Sequence, residues 1–202
     1  MKNLSYLIPI FTFLLFVQCS KAQRFFTEVG MGIGNVVKEQ HTLGKAEIYF
    51  NLLTPVKFGQ LGLDFSTGGN FIPGTRSMIE GDTEILSPND ARFSTVSALY
   101  RLPIKELFFF ESHLGYSSIS YYVHTDTEDR IQQPNLTYAL GIGATLSGRL
   151  TVSLRYQHFG VAPEYEGVKD MTTLKSNAEE VMIMLFRMSY RFSWDNLFKK
   201  YT

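Results

Sequence analysis

Period-two alternation of apolar and polar residues constrains this chain more than any other feature. Residues 181–192, "VMIMLFRMSYRF", put Met182, Met184, Phe186, Met188, Tyr190 and Phe192 on one parity and end the other with Arg187, Ser189 and Arg191. Successive side chains of an extended chain point to opposite faces, so this is a strand with one apolar and one polar side. Eight such segments follow one another, at about 25–35, 45–53, 60–71, 93–102, 107–122, 136–146, 150–159 and 179–192. No helical period of comparable strength competes with them. Their lengths are close to the roughly 9 to 11 residues with which a tilted strand crosses a bilayer.

The connections alternate in length. Residues 54–59, 103–106 and 147–149, after the second, fourth and sixth strands, are short; the others are longer, above all 72–92 and 160–178. This is the pattern of an up-and-down sheet whose ends face different compartments, with clipped periplasmic turns and extended outer loops. An even strand number then leaves both termini on the periplasmic side.

The first residues set the compartment. Lys2 supplies a positive start, Leu4 to Val17 an apolar run of signal-peptide length, and Ser20-Lys21-Ala22 the small residues of a cleavage site. The expected organisation is a signal peptide at 1–22, a barrel at 23–192 and a periplasmic tail at 193–202. Cys19 is the sole cysteine. Gln18 before it is too large for a lipoprotein cut, so Cys19 leaves with the leader and the mature chain has no thiol for disulfide, metal or nucleophile. Loss of Lys2 and Lys21 leaves 17 of the 19 basic residues against 19 acidic ones, a balance that gives no reason to expect nucleic acid.

Sorted by parity, the apolar set includes Val29, Met31, Ile33, Ile48, Phe50, Leu63, Phe65, Val96, Leu114, Tyr116, Leu140, Ile142 and Leu154 beside the stripe above. The opposite set holds Glu28, Glu47, Asp64, Arg101, Glu111, His113, Arg155, Gln157, Arg187 and Arg191 among Gly, Ser and Thr. Two closures fit. A soluble barrel of the lipocalin type turns the apolar face inward around a ligand, and a membrane barrel turns it out to lipid.

Lysine helps to choose between them. A strand face in water usually carries lysines, yet the polar face has only Lys45, at the start of a strand. Its four acids, Glu28, Glu47, Asp64 and Glu111, equal its four arginines, Arg101, Arg155, Arg187 and Arg191, as enclosed charges require, because an unpaired buried charge costs several kcal/mol. The polar face therefore belongs inside and hydrocarbon wets the methionine side. Gly30, Gly32, Gly34, Gly141 and Gly143 fall on the polar parity and leave room for arginines in a narrow lumen. The "GMGIG" run they begin has a two-residue spacing and no following helix, which rules out a nucleotide-binding turn.

At this point the chain resembles the small eight-stranded outer-membrane β-barrel proteins of Gram-negative bacteria, over essentially its whole mature length. The most specific element is Tyr190-Arg191-Phe192, similar to the aromatic-x-Phe ending read by the outer-membrane assembly machinery; here "SWDNLFKKYT" follows it. The resemblance implies an all-β, eight-stranded antiparallel up-and-down transmembrane β-barrel. It also implies contact with outer-membrane lipid and lipopolysaccharide, with assembly through Tyr190 and Phe192. Trp194, Phe198, Lys199 and Lys200 are expected at the inner interface.

A local stretch, "RYQHFG" at 155–160, resembles the histidine region of the outer-membrane lipid A deacylases, which carry a serine two residues after the histidine. His158 has the matching parity, but position 160 is Gly, so the nucleophile is missing unless a hydroxyl such as Ser176 replaces it. The plainer expectation for His158 is an interfacial residue among lipid headgroups. The interior charges are expected to form a structural network, with Glu28 facing Arg187 or Arg191 and His113 beside Glu111. The loop acids Glu80, Asp82, Glu84, Asp126, Glu128 and Asp129 lack a glycine-centred calcium loop and are read as solvated. Asn135-Leu136-Thr137 matches a glycosylation sequon but opens a strand. No metal and no cofactor are expected.

An eight-stranded barrel is just filled by its own side chains, so a general porin is not expected. The function read here is a non-enzymatic outer-membrane barrel with a structural or surface-interaction role, whose loops 72–92 and 160–178 contact lipid, surface or a partner; an unknown surface or periplasmic partner is expected. A lipid A-modifying hydrolase using His158 and a secreted lipocalin-like carrier of an apolar ligand are the alternatives.

Overall fold

β-branched and aromatic residues on one parity, with Gly, Ser and Thr on the other, suit a pleated surface with two different sides. The computed structural model describes residues 25–37, 44–70, 78–80, 83–86, 91–122, 130–169, 172–176 and 179–193. They form β1 (Phe26–Val36), β2 (Lys45–Val56), β3 (Gly59–Asn70), β4 (Met78–Glu80), β5 (Thr83–Leu86) and β6 (Arg92–Pro103). β7 (Phe108–Tyr122), β8 (Arg130–Thr145), β9 (Leu150–Val161), β10 (Tyr165–Lys169), β11 (Thr172–Ser176) and β12 (Glu180–Ser193) follow. The leader with Cys19, the loop acids Asp82, Asp126, Glu128 and Asp129, and residues 194–202 lie outside the described residues.

Eight strands close into a barrel in the order β1-β12-β9-β8-β7-β6-β3-β2, with β1 antiparallel to β12 and every other neighbour antiparallel as well. Closure removes the open edges that an exposed sheet would present to lipid. The three short turns, 57–58, 104–107 and 146–149, gather at the end where β1 starts and β12 stops.

The apolar parity faces outward. Met31, Leu114, Tyr116 and Ile142 are each about 60% exposed, whereas Glu111, Arg155 and Arg187 on the opposite parity are 1% exposed. A ligand-carrying barrel with an apolar interior is thereby overturned: the side chains it would need inside point out.

β8 begins at Arg130, six residues before the expected start at 136. The added stretch contains Pro134; residues 130–137 pair with β7 alone, and the β8–β9 ladder begins at Tyr138. A proline is tolerated where a strand has one ladder. β9 carries a bulge the alternation did not show. Val181 pairs with Gly160 and Met182 with His158, so Phe159 is an extra residue. Gly160 takes the left-handed φ of 99°, and Phe159 turns fully into the interior. The displaced backbone is met from β7 and β8: Ser117 Oγ donates to the Phe159 carbonyl, Thr137 Oγ1 to that of His158 at 2.6 Å, and Asn135 Nδ2 to that of Val161 at 2.9 Å.

Phe159 is part of an apolar plug at the loop end of the lumen, with Val36, Phe93, Ile119, Ile183 and Leu185. Phe93 and Phe159 pack with ring centroids 4.3 Å apart. The loop end of the interior is thus largely apolar, with Lys45 and Ser120 buried beside the plug, where the sequence suggested a polar face throughout.

Segments 72–92 and 160–178, expected to be irregular, contain four short strands. β4, β5, β11 and β10 form a second sheet in the order β10-β11-β5-β4. β11 pairs parallel to β5, Thr173 opposite Thr83 through Ser176 opposite Leu86, and so ties the two long loops together.

Candidate functional site

The charged residues singled out by parity converge in the lumen. Near the turn end Glu28 is a hub: Arg101 donates to both its oxygens, at 2.9 and 3.1 Å, and Arg191 donates to Oε1 through Nη2 at 2.8 Å and Nε at 3.1 Å. Asn51 Nδ2 and Thr151 Oγ1 add donors at 3.2 and 3.4 Å. Arg191 sits opposite Glu28 in the β1–β12 ladder, whereas Arg101 reaches it from β6, on another part of the wall.

One layer further in, Arg101 Nη2 also reaches Glu111 Oε2 at 3.2 Å, and Arg155 lies between Glu111 at 3.3 Å and Asp64 at 3.4 Å. Arg187 Nη1 donates to Asp64 Oδ2 at 3.0 Å, and its Nε lies 2.6 Å from Glu47 Oε1. Of the two partners expected for Glu28, the structure selects Arg191; Arg187 belongs to Glu47 and Asp64. Every acid and arginine of the polar set is thereby joined in one network through the lower lumen. Lys45 stands apart toward the loop end, where Nζ donates to Asn70 Oδ1 at 2.7 Å and the Ala91 carbonyl at 3.1 Å.

Three arginines also lie against aromatic rings: Arg187 over Tyr49 at 3.4 Å, Arg101 over Phe109 at 4.2 Å and Arg191 over Phe26 at 4.3 Å. A weakly hydrated guanidinium gains from such a face when it leaves water. These rings correct the role given to the glycines. A Cβ at Gly30 would come within 2.5 Å of the Tyr49 ring, and one at Gly143 within 2.3 Å of Phe109. Gly30 and Gly143 make room for aromatics that flank the arginines, Gly141 for Glu111, and Gly32 for Glu47 and for Arg187, whose Cγ would lie 3.2 Å from a Cβ there.

His113 lies within this network, Nε2 3.8 Å from Glu111 Oε1 and Nδ1 3.4 Å from Ser97 Oγ. Serine, histidine and glutamate in that order suggest a hydrolase triad. However, Glu111 is committed to Arg101, Arg155 and Ser153, and all three residues of the set are buried. Among the described residues no group of three His, Cys, Asp or Glu is arranged to hold a metal ion.

On the outer wall, His158 is half-buried and stacks on Tyr138 with centroids 4.8 Å apart and planes 12° from parallel. Beside it Tyr156 OH donates to Met182 Sδ at 2.6 Å. The space a side chain at Gly160 would need is taken by Asn135, whose Cβ lies 2.3 Å from the ideal position. Asn135 is held there by Val161, with its amide donating to the carbonyl and its oxygen accepting from the Val161 amide at 3.3 Å. Ser176 lies on β11, paired with Tyr165 and Leu86.

Tyr190 and Phe192 lie outward at the turn end, edge to face at 4.9 Å, and Arg149 Nη1 donates to Tyr190 OH at 3.0 Å. Sequence reasoning missed the plug, the flanking aromatics and the loop sheet. The first two had a signal, since Phe93, Ile119, Phe159, Ile183, Tyr49 and Phe109 all lie on the inner parity.

No family model and no curated protein matches the sequence. Solved structures do. Neisserial surface protein A is 10% identical with a TM-score of 0.52, over 83% of this chain and 95% of that one. Ail, the attachment invasion locus protein of Yersinia pestis, solved with the heparin analogue sucrose octasulfate, is 14% identical with a TM-score of 0.49, over 84% and 99%. The N-terminal β-barrel domain of Pseudomonas aeruginosa OprF is 9% identical with a TM-score of 0.46, over 84% and 99%. At these identities likeness speaks to fold alone, and the first of the three carries it: this chain has the fold of the small eight-stranded outer-membrane β-barrel proteins.

Proposed function

We propose that the protein is a non-conducting integral outer-membrane barrel that presents its two paired loops as a contact surface, with turns and termini in the periplasm. The observation that carries this reading is the β10-β11-β5-β4 sheet beyond the plugged end of the barrel. Backbone pairing between loops gives a defined surface, and interaction roles concentrate on loops held by a rigid scaffold. The lumen supports the non-conducting part: a charge network fills its lower section and an apolar plug its upper one. In this reading Tyr190 and Phe192 serve the assembly machinery, the lumen network is structural, and lipopolysaccharide surrounds the loop end of the wall. A deacylase role for His158 finds no support, since the neighbouring position 160 has no hydroxyl and its space is filled.

Trypsin applied to intact cells tests the orientation. Cleavage is expected in 160–178, at Lys169 or Lys175, and not in the turns at Lys57 or Lys105; the opposite pattern, or recovery in the soluble periplasm, refutes the reading. For the contact role, a strain lacking the gene is complemented with a barrel in which 72–90 and 163–178 are replaced by short turns. The shortened barrel should fold and fail to restore the wild-type surface phenotype, and full restoration would remove the loop sheet from the function.

A further inference from the structure

The turn end carries a feature that neither the lumen network nor the loop sheet uses. A cleft of about 450 Å³ opens between the β2–β3 turn and the end of β6, lined by Val56, Lys57, Phe58, Gln60, Leu102 and Pro103. Its walls are fixed. Tyr100 OH donates to the Phe58 carbonyl at 2.9 Å, and Gly59 lies so close to β6 that a Cβ there would come within 2.3 Å of the Arg101 carbonyl oxygen. Lys57 is exposed, its ammonium 5.1 Å from the centroid of the exposed Phe58 ring.

The surroundings say what fits. The three turns carry Lys57, Lys105 and Arg149 against Glu106, all exposed, so this rim is net positive. Above the cleft the outer wall between β3 and β6 pairs Leu61 with Tyr100 and Leu63 with Ala98. Ala98 is the small member of that wall, an outward residue flanked by Val96 and Tyr100 on its own strand. A positive cleft beside an apolar stretch of outer wall matches a molecule with an anionic head and a hydrocarbon tail.

We propose that this cleft binds the phosphodiester headgroup of an anionic phospholipid, with Lys57 taking the phosphate charge and the exposed Phe58 ring packing against the glycerol. One acyl chain lies along the β3–β6 wall over Ala98. The source of the lipid, the periplasmic leaflet, rests on the orientation proposed above; the binding chemistry does not.

The test reconstitutes the full barrel with phosphatidylglycerol and phosphatidylcholine in equal amounts and weighs the retained lipids by native mass spectrometry. The wild type should retain phosphatidylglycerol about fivefold over phosphatidylcholine, as expected for one basic residue near an anionic group, roughly 1 kcal/mol. Lys57→Gln should bring the ratio close to one, while Lys57→Arg and Lys105→Gln keep it. No preference in the wild type, an unchanged ratio in Lys57→Gln, or an equal loss in Lys105→Gln, which would mean diffuse rim charge, each overturns the cleft. Because both leaflets have one composition, these outcomes are independent of orientation. Tryptic cleavage of the turns from outside the cell would instead refute the topology and leave the cleft standing.

Discussion

Replacing Glu28 by Gln tests the lumen network at its most connected point. The carboxylate is fully buried and receives two bonds from Arg101 and two from Arg191. An amide of the same shape keeps one acceptor oxygen but loses the charge, leaving Arg101 buried with only Glu111 to balance it. Breaking a buried pair from one side costs about 3 to 5 kcal/mol, because the remaining charge stays desolvated. Arg191 is partly exposed and recovers some hydration, so a loss of about 3 kcal/mol, toward the lower limit, is expected. Arg101→Met should cost a similar amount. The double variant should cost less than the sum by about 2 kcal/mol, since a neutral pair leaves nothing unbalanced between the two sites. The control is Glu28→Gln with Arg187→Met. Arg187 shares the network but contacts Glu47 and Asp64 rather than Glu28, so these two should couple less, by under about 1 kcal/mol. Urea titration of the barrel in lipid vesicles, followed by the shift between folded and unfolded bands on unheated gels, gives each value. Strict additivity of Glu28 with Arg101, or coupling of Glu28 with Arg187 above 1 kcal/mol, would refute the assignment of partners.

Three more perturbations probe the wall, the packing and the plug. Phe186→Arg, midway along β12, should destabilise the barrel by about 2 to 4 kcal/mol in the same titration, and Tyr190→Arg at the turn end by about 0 to 1 kcal/mol; equal costs would deny that lipid covers this face. Gly143→Val should fold poorly, at a cost of about 1 to 3 kcal/mol, because its side chain needs the space of the Phe109 ring, and Phe109→Ala in the same chain should restore part of the yield. In planar bilayers the wild type should show no steady conductance. The joint Phe159→Ser and Ile183→Ser variant should show small openings if the plug is the seal, and steady wild-type conductance would contradict it.

The parts of this architecture carried by period two were readable in advance. Every outward residue from Val29 to Phe192 and every lumen acid and arginine follows from parity and the balance of four acids with four arginines. Partner choice was not readable to the same degree. Glu28 and Arg191 are neighbours through strand register, but Arg101 reaches Glu28 from β6, and a sequence does not state how side chains of different length meet across a lumen. The β9 bulge escaped for another reason: it adds one residue without altering composition, and its clearest sign, Gly160, sits at the end of a strand as any loop glycine would. The β5–β11 pairing joins residues about ninety positions apart within segments too short for alternation to register.

That long separation has a consequence for how the protein comes to be made. β5 and β11 meet only after four barrel strands, β6 to β9, have been laid between them, and contacts so distant along a chain form late. The loop sheet is therefore a mark of completion. A partner that reads the paired loops would ignore nascent or stalled chains and engage only finished molecules.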